Sequence, residues 1–126
     1  MHPWCPRSDI LAYCTAHNIV AQAYSPLVRG TRFRSATTTE TPTPPIPPGS
    51  EYLYALAEKY GKTPAQILLR WSLQRGCVPI VKTVSEERLK ENIGVWGWEL
   101  QDAHVEGLLT SEYLPICWDP VVDCKD

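Results

Sequence analysis

A chain of 126 residues with 44% hydrophobic and 21% charged residues can bury one core and is too short for several domains. Its net charge of −2 and isoelectric point near 5.9 lack the basic excess that nucleic acid or an anionic membrane demands, so neither is expected as a partner. No stretch approaches an apolar membrane span, and the polar, proline-containing start at residues 1–7 is not a signal peptide. Five cysteines in a chain without secretory features read as reduced thiols, which predicts a cytoplasmic protein.

Residues 1–29 read as a helix leading into a strand. Ser8 is a plausible N-cap for a helix to His17, with Ile10, Leu11 and Cys14 as its apolar stripe and Asn18 beyond its end. Ile19 to Tyr24 follows as a strand that Ser25-Pro26 ends. Residues 30–50 change character: proline-dense, threonine-rich and poor in groups to bury, they predict a disordered or loosely held insertion. Residues 51–111 resume regular structure. A helix over Glu51 to Tyr60 stops at Gly61, and Thr63-Pro64-Ala65-Gln66 then opens another with a capping box and proline at its first position. Ile67, Leu68, Leu69, Trp71 and Leu73 leave this second helix apolar over most of its girth, hence well buried. Trp96-Gly97-Trp98 is expected to cross in extended form before a last helix capped by Asp102, and residues 112–126 form an irregular tail.

Between these lies the most informative stretch, Val78 to Asn92. Val78, Ile80 and Val81 form a short β-branched run behind Gly76, which predicts a buried parallel strand. Thr83 with Glu86 fits a capping box for the helix that follows, and Ser85 is the competing N-cap. A helix N-terminus just past a strand's carboxyl end presents unpaired N–H groups to an anion. Lys82 and Arg88 flank it, while Arg88, Glu91 and Asn92 share one helix face. A phosphate clamp is one reading; a solvated helix whose charges merely pair with one another is the other.

The run I-V-K-T-V-S-E-E-R-L-K-E-N resembles the C-terminal signature of the aldo-keto reductases, (β/α)8 barrels that reduce carbonyls with NADPH. The segments H-P-W-C-P-R-S-D-I-L-A-Y-C and A-Y-S-P-L resemble the same family, from the end of its sixth strand through its seventh. The resemblance implies an α/β fold, here a partial TIM barrel holding only C-terminal strand–helix repeats. It implies that Lys82 and Arg88 hold the adenosine 2′-phosphate with Thr83 assisting, and that Glu91 and Asn92 approach the adenine. It implies that Tyr24 stacks on the nicotinamide and that Ser25 and Leu27 touch the pyrophosphate; Val84, within the signature, completes the cofactor set. Two departures stand out: Val81 where many members have proline, and Val28 where many have glycine. Without the resemblance, Tyr24 would be read as a core aromatic at a strand end.

The same resemblance implies that the family's proton-donating Tyr, with its Lys, Asp and His, belongs to a barrel half that has no counterpart here, so no catalytic residue is assigned. The implied substrate is a small-molecule carbonyl compound, and a complementary N-terminal barrel half is the implied partner. The alternative is a non-catalytic remnant serving as a cofactor- or partner-binding module. Trp4 and Trp118 are candidate substrate walls. Trp96 and Trp98 are expected to pack internally, and His104 to sit on a helix surface. His2, Cys5, Cys14 and His17 are metal-ligand residue types, but their x8 gap matches no usual zinc spacing, and no metal is expected. Cys77, Cys117 and Cys124 carry no motif.

Overall fold

The computed structural model describes residues 1–28, 47, 49–111 and 113–114. Among them the order is α1 (Ser8–Ala16), β1 (Ala21–Ala23), α2 (Ser50–Tyr60), α3 (Pro64–Gln74), β2 (Cys77–Pro79), α4 (Glu86–Ile93) and α5 (Asp102–Gly107). The two strands pair in parallel, with Ala21 opposite Cys77, Gln22 opposite Val78 and Ala23 opposite Pro79. One further ladder bond, from Ile80 N–H to the Ala23 carbonyl at 3.2 Å, carries the pairing past β2. Parallel neighbours need a long crossover, and α2 and α3 lie on it. The class is α/β, as the alternation of helix and strand predicts.

Local chemistry sets the helix ends. At α3 both halves of the capping box form: Gln66 N–H donates to Thr63 Oγ1 at 3.2 Å, and Thr63 N–H donates to Gln66 Oε1 at 3.1 Å. Gly61 ends α2 at φ 60, and Lys62 N–H reaches back to the Ala57 carbonyl at 2.9 Å. A side chain there meets no steric neighbour but must hold the left-handed conformation. Gly61→Ala is therefore expected to cost about 1 kcal/mol, read as a small fall in urea midpoint with an unchanged slope.

Two expected caps differ. Ser8 is already inside α1; Arg7 is the cap, at φ 42, and its guanidinium turns back to Asp9 at 3.2 Å. That contact holds the Asp9 carboxyl below the usual range. Asn18 takes the left-handed position past the helix, as its residue type suggests, at φ 54. Asp102 does not cap α5 either: Gln101 is the cap, and its N–H is taken by the Tyr60 hydroxyl at 3.0 Å. A tertiary contact replaces the local one.

The main core gathers Trp4, Val28, Leu53, Leu56, Ala57, Ile67, Leu68, Trp71, Leu100, Val105 and Leu108, so α2, α3 and α5 enclose one apolar interior. A smaller cluster joins Leu11 of α1 to Ala23 and Cys77 on one sheet face. The other face is different. Val78 and Ile80, expected to be buried, are 43% and 53% exposed, and Val20 is 74% exposed. A strand's side chains alternate faces, and among the described residues only the Ala23–Cys77 face has a helix over it. Of the α1 stripe only Leu11 is buried; Ile10 is exposed and Cys14 half-buried.

The stretch at Trp96-Gly97 bends rather than extends, with Gly97 at φ 83. Of the expected insertion at residues 30–50 only Pro47, Gly49 and Ser50 are described, with Ser50 already helical; the rest lies outside the described residues. The expected tail at residues 112–126 is described only at Tyr113 and Leu114, so Cys117, Trp118 and Cys124 also lie outside. No helix among the described residues is long and apolar enough to cross a membrane.

Candidate functional site

The turn after β1 is anchored from below and open above. Pro26 and Val28 are fully buried and Leu27 packs against the main core, which pins the backbone of Tyr24 to Val28. Tyr24 itself is 73% exposed, so the core-packing reading of this aromatic does not hold. Two of the five residues sit in the left-handed region, Ser25 at φ 51 and Val28 at φ 53, and Val28 N–H closes the turn on the Ser25 carbonyl at 3.1 Å. A β-branched residue in that region is strained by roughly 1–2 kcal/mol, and burial of the valine side chain offsets it. The same φ explains why glycine suits this position.

The second segment follows β2. Thr83 does not form its box with Glu86; its Oγ1 instead accepts from Ser85 N–H at 3.1 Å. Ser85, the competing cap, wins: its Oγ accepts from Arg88 N–H at 3.3 Å and α4 begins at Glu86. Lys82, Val84 and Arg88 are exposed, and Thr83, Glu91 and Asn92 half-buried. The one ion pair within α4, Lys90 to Glu86 at 2.8 Å, is exposed on both sides and contributes little. Lys82 and Arg88 are solvated and have no carboxylate partner among the described residues, so the pairing part of the bland reading fits Lys90 but not these two.

The parallel register places both segments at one end of the sheet. Because Ala23 lies opposite Pro79, Tyr24–Leu27 and Ile80–Thr83 both leave from the carboxyl edge. Leaving from that edge are an exposed aromatic ring and a strained turn on one side and, on the other, Lys82 and the stretch to the N-terminus of α4 with Arg88, two cations without a carboxylate partner among the described residues. This set fits an anionic ligand with a planar ring: helix N–H groups and cations for phosphate, the tyrosine face for the ring.

Other candidates fall elsewhere. Trp4 is 1% exposed inside the main core, not a wall open to ligand, because the whole indole is taken up by core contacts. Trp118 lies outside the described residues. Trp98 packs on Tyr60, ring centroids 6.0 Å apart, as expected, whereas Trp96 is 66% exposed because the bend at Gly97 turns it outward. His104 is no ordinary surface residue. Lys59 Nζ lies 3.1 Å from its Nε2, which leaves the Nδ1 proton for the Tyr60 hydroxyl at 2.6 Å. His17 stacks on Tyr13 at 4.0 Å, and among the described residues no three His, Cys, Asp or Glu side chains gather as a metal site. Burial pushes the Cys77 thiol up from its ordinary value, so it is a poor nucleophile. A cleft of about 330 Å³ lined by Gln74, Arg75, Asp102, Val105 and Glu106 shares no residue with either segment.

Thr63 and Gln66 were missed by sequence reasoning. The Thr63 hydroxyl donates to the Glu91 carboxylate, and Gln66 Nε2 donates to the Glu91 carbonyl at 3.0 Å. The capping box was visible; its reach to partners 25 to 28 residues away was not.

The chain was compared with known proteins. The model of the aldo/keto reductase family matches residues 1–109. The chain is 40% identical over 105 residues to aldo-keto reductase family 1 member A1 of Xenopus tropicalis, covering 83% of this chain and 31% of that protein. It is 36% identical over 107 residues to a probable NAD(P)H-dependent D-xylose reductase of Aspergillus flavus, covering 85% of this chain and 33% of that one. Among solved structures, the apo form of Gox0644 superposes with TM-score 0.73 at 26% identity, over 94% of this chain and 38% of that one. An aldo/keto reductase from Brucella melitensis gives 0.67 at 25%, over 86% and 35%. The chain thus spans about a third of the proteins it matches, and with a family model covering residues 1–109 it belongs to the aldo/keto reductase family.

Proposed function

We propose that this chain is the cofactor-holding, C-terminal part of an NADPH-dependent reductase of aldehydes or ketones, a partial (β/α)8 barrel working in the cytoplasm. The observation that supports the reading is the shared carboxyl edge, from which Tyr24–Leu27 and the Ile80–Thr83 stretch leading to α4 both leave. NADPH, when bound, supplies the hydride that turns the carbonyl into an alcohol. Lys82 and Arg88 bind the 2′-phosphate, with Thr83 and the exposed backbone at Val84 beside it. Glu91 and Asn92 border the adenine. Tyr24 stacks on the nicotinamide, and the turn through Ser25 and Leu27 approaches the pyrophosphate with its backbone.

The proton that completes reduction needs a donor within hydrogen-bond reach of the carbonyl oxygen, and neither segment supplies an acid there. The proposed source is a complementary N-terminal barrel half. The sheet face carrying Val20, Val78 and Ile80, open among the described residues, is where it would close. The competing reading is a module that holds cofactor or partner without turnover.

Carbonyl-dependent loss of NADPH absorbance separates the two. The purified chain alone is expected to be inactive, and turnover is expected once an N-terminal barrel half of the family is supplied in trans. Cofactor binding with no turnover in any such mixture would favour the non-catalytic module.

A further inference from the structure

The helix that carries Arg88, Glu91 and Asn92 has no buried residue, and its apolar side chains Leu89 and Ile93 are 50% and 60% exposed. Apolar packing among the described residues therefore does not fix its position. Polar contacts do. Gln66 Nε2 donates to the Glu91 carbonyl at 3.0 Å and to the Gly94 carbonyl at 3.3 Å, adding to the Gly94 N–H on the first and the Trp98 indole N–H on the second, each at 3.0 Å. The Thr63 hydroxyl holds the Glu91 carboxylate, while the same two residues close the N-terminus of α3 through their own box. One glutamine amide thus caps two helices at once, its oxygen serving α3 and its nitrogen α4.

Gly94 gives independent support. Its φ of −69 is open to any residue, so conformation does not require glycine there. A Cβ at that position, however, would stand 3.0 Å from Gln66 Nε2. It would also stand 3.2 Å from the Glu91 carbonyl oxygen, so a side chain there crowds the contact between the amide and α4.

We infer that Thr63 and Gln66 are positioning residues for cofactor binding: with Gly94 they form a bracket that sets α4 so that Arg88 faces the 2′-phosphate. This rests on the cofactor reading proposed above. The bracket touches no cofactor and acts only through α4.

Gln66→Glu tests it. Glutamate completes a Thr-x-x-Glu capping box equally well, so α3 keeps its cap, but the donor to α4 is gone. Gly94→Ala obstructs the same contact from the other side and leaves the α3 cap untouched, which guards against a folding defect in the first variant. In the full chain, both are expected to speed hydrogen exchange in α4 about tenfold, leave α3 protected and lower NADPH affinity about tenfold, with a smaller loss for NADH, which shares the adenine but has no 2′-phosphate. A purely structural role would weaken both cofactors alike. Wild-type exchange in α4 of both variants overturns the bracket. Faster exchange with unchanged NADPH affinity overturns its role in binding if Lys82→Ala/Arg88→Ala does lose affinity. If that double variant also binds as wild type, the bracket stands and the cofactor reading fails instead.

Discussion

Trp71→Ala is expected to leave the chain largely unfolded at room temperature. Trp71 is 0% exposed at the centre of the main core, and its indole N–H donates to the Val105 carbonyl at 2.9 Å, tying α3 to α5. Its loss removes one of the two fully buried tryptophans of this core and leaves a cavity, at a cost of about 3–5 kcal/mol. Orphaning the Val105 carbonyl adds to that. Domains of this size have roughly 5–15 kcal/mol in total, and one sheet face lacks cover among the described residues, so the margin is at the low end. Trp71→Phe keeps much of the volume and loses only the hydrogen bond, so it should remain folded with a lowered melting temperature. Far-ultraviolet circular dichroism against urea distinguishes them. An alanine variant that melts within a few degrees of wild type would mean that α3 is not the keystone of this core.

The larger functional effect is expected from Lys82→Ala/Arg88→Ala. Both side chains are exposed, so each is screened and worth less than a buried charge pair. On the proposed reading each still adds a charge-assisted bond to a dianionic phosphate at a helix N-terminus, about tenfold in affinity. Together they predict an NADPH affinity about a hundredfold weaker, with NADH affinity within about twofold of wild type. Raising the salt from low to physiological should weaken NADPH in the wild type and scarcely affect the double variant. Calorimetric titration with each cofactor reads both effects. Equal losses for NADPH and NADH would show that these cations do not read the 2′-phosphate.

Much of this architecture is legible in the sequence because its signals are local. Thr63-Pro64-Ala65-Gln66 announces a helix start through chemistry contained in four residues, and the start forms as written. Gly61 and Asn18 mark helix ends because few other residues accept a left-handed turn. The candidate cofactor segments stand out for a different reason, namely their resemblance to a family, and the parallel register then explains how stretches some sixty residues apart leave from one edge. Readings failed where a distant partner overrides a local preference. Asp102 yields its cap because the Tyr60 hydroxyl takes the Gln101 N–H from another helix. Thr83 loses its box to Ser85, a competition between two adjacent hydroxyls that spacing does not decide. Val78 and Ile80 read as buried because β-branched runs usually are, yet exposure depends on what lies over the sheet. Trp4 follows a strand-end motif but is buried as a member of the main core. The second duty of Gln66 is invisible in sequence, since nothing near it in the chain indicates the carbonyls of Glu91 and Gly94.

The central claim is that two segments distant in sequence form one cofactor site. Amide chemical shifts of the full chain, followed while NADPH is added, address it most directly. The account predicts that residues 24–27 and 82–92 shift together, saturating with one affinity, while α1 and the 330 Å³ cleft beside Arg75 stay unmoved. Shifts confined to one of the two segments, or none in a folded chain, would contradict it.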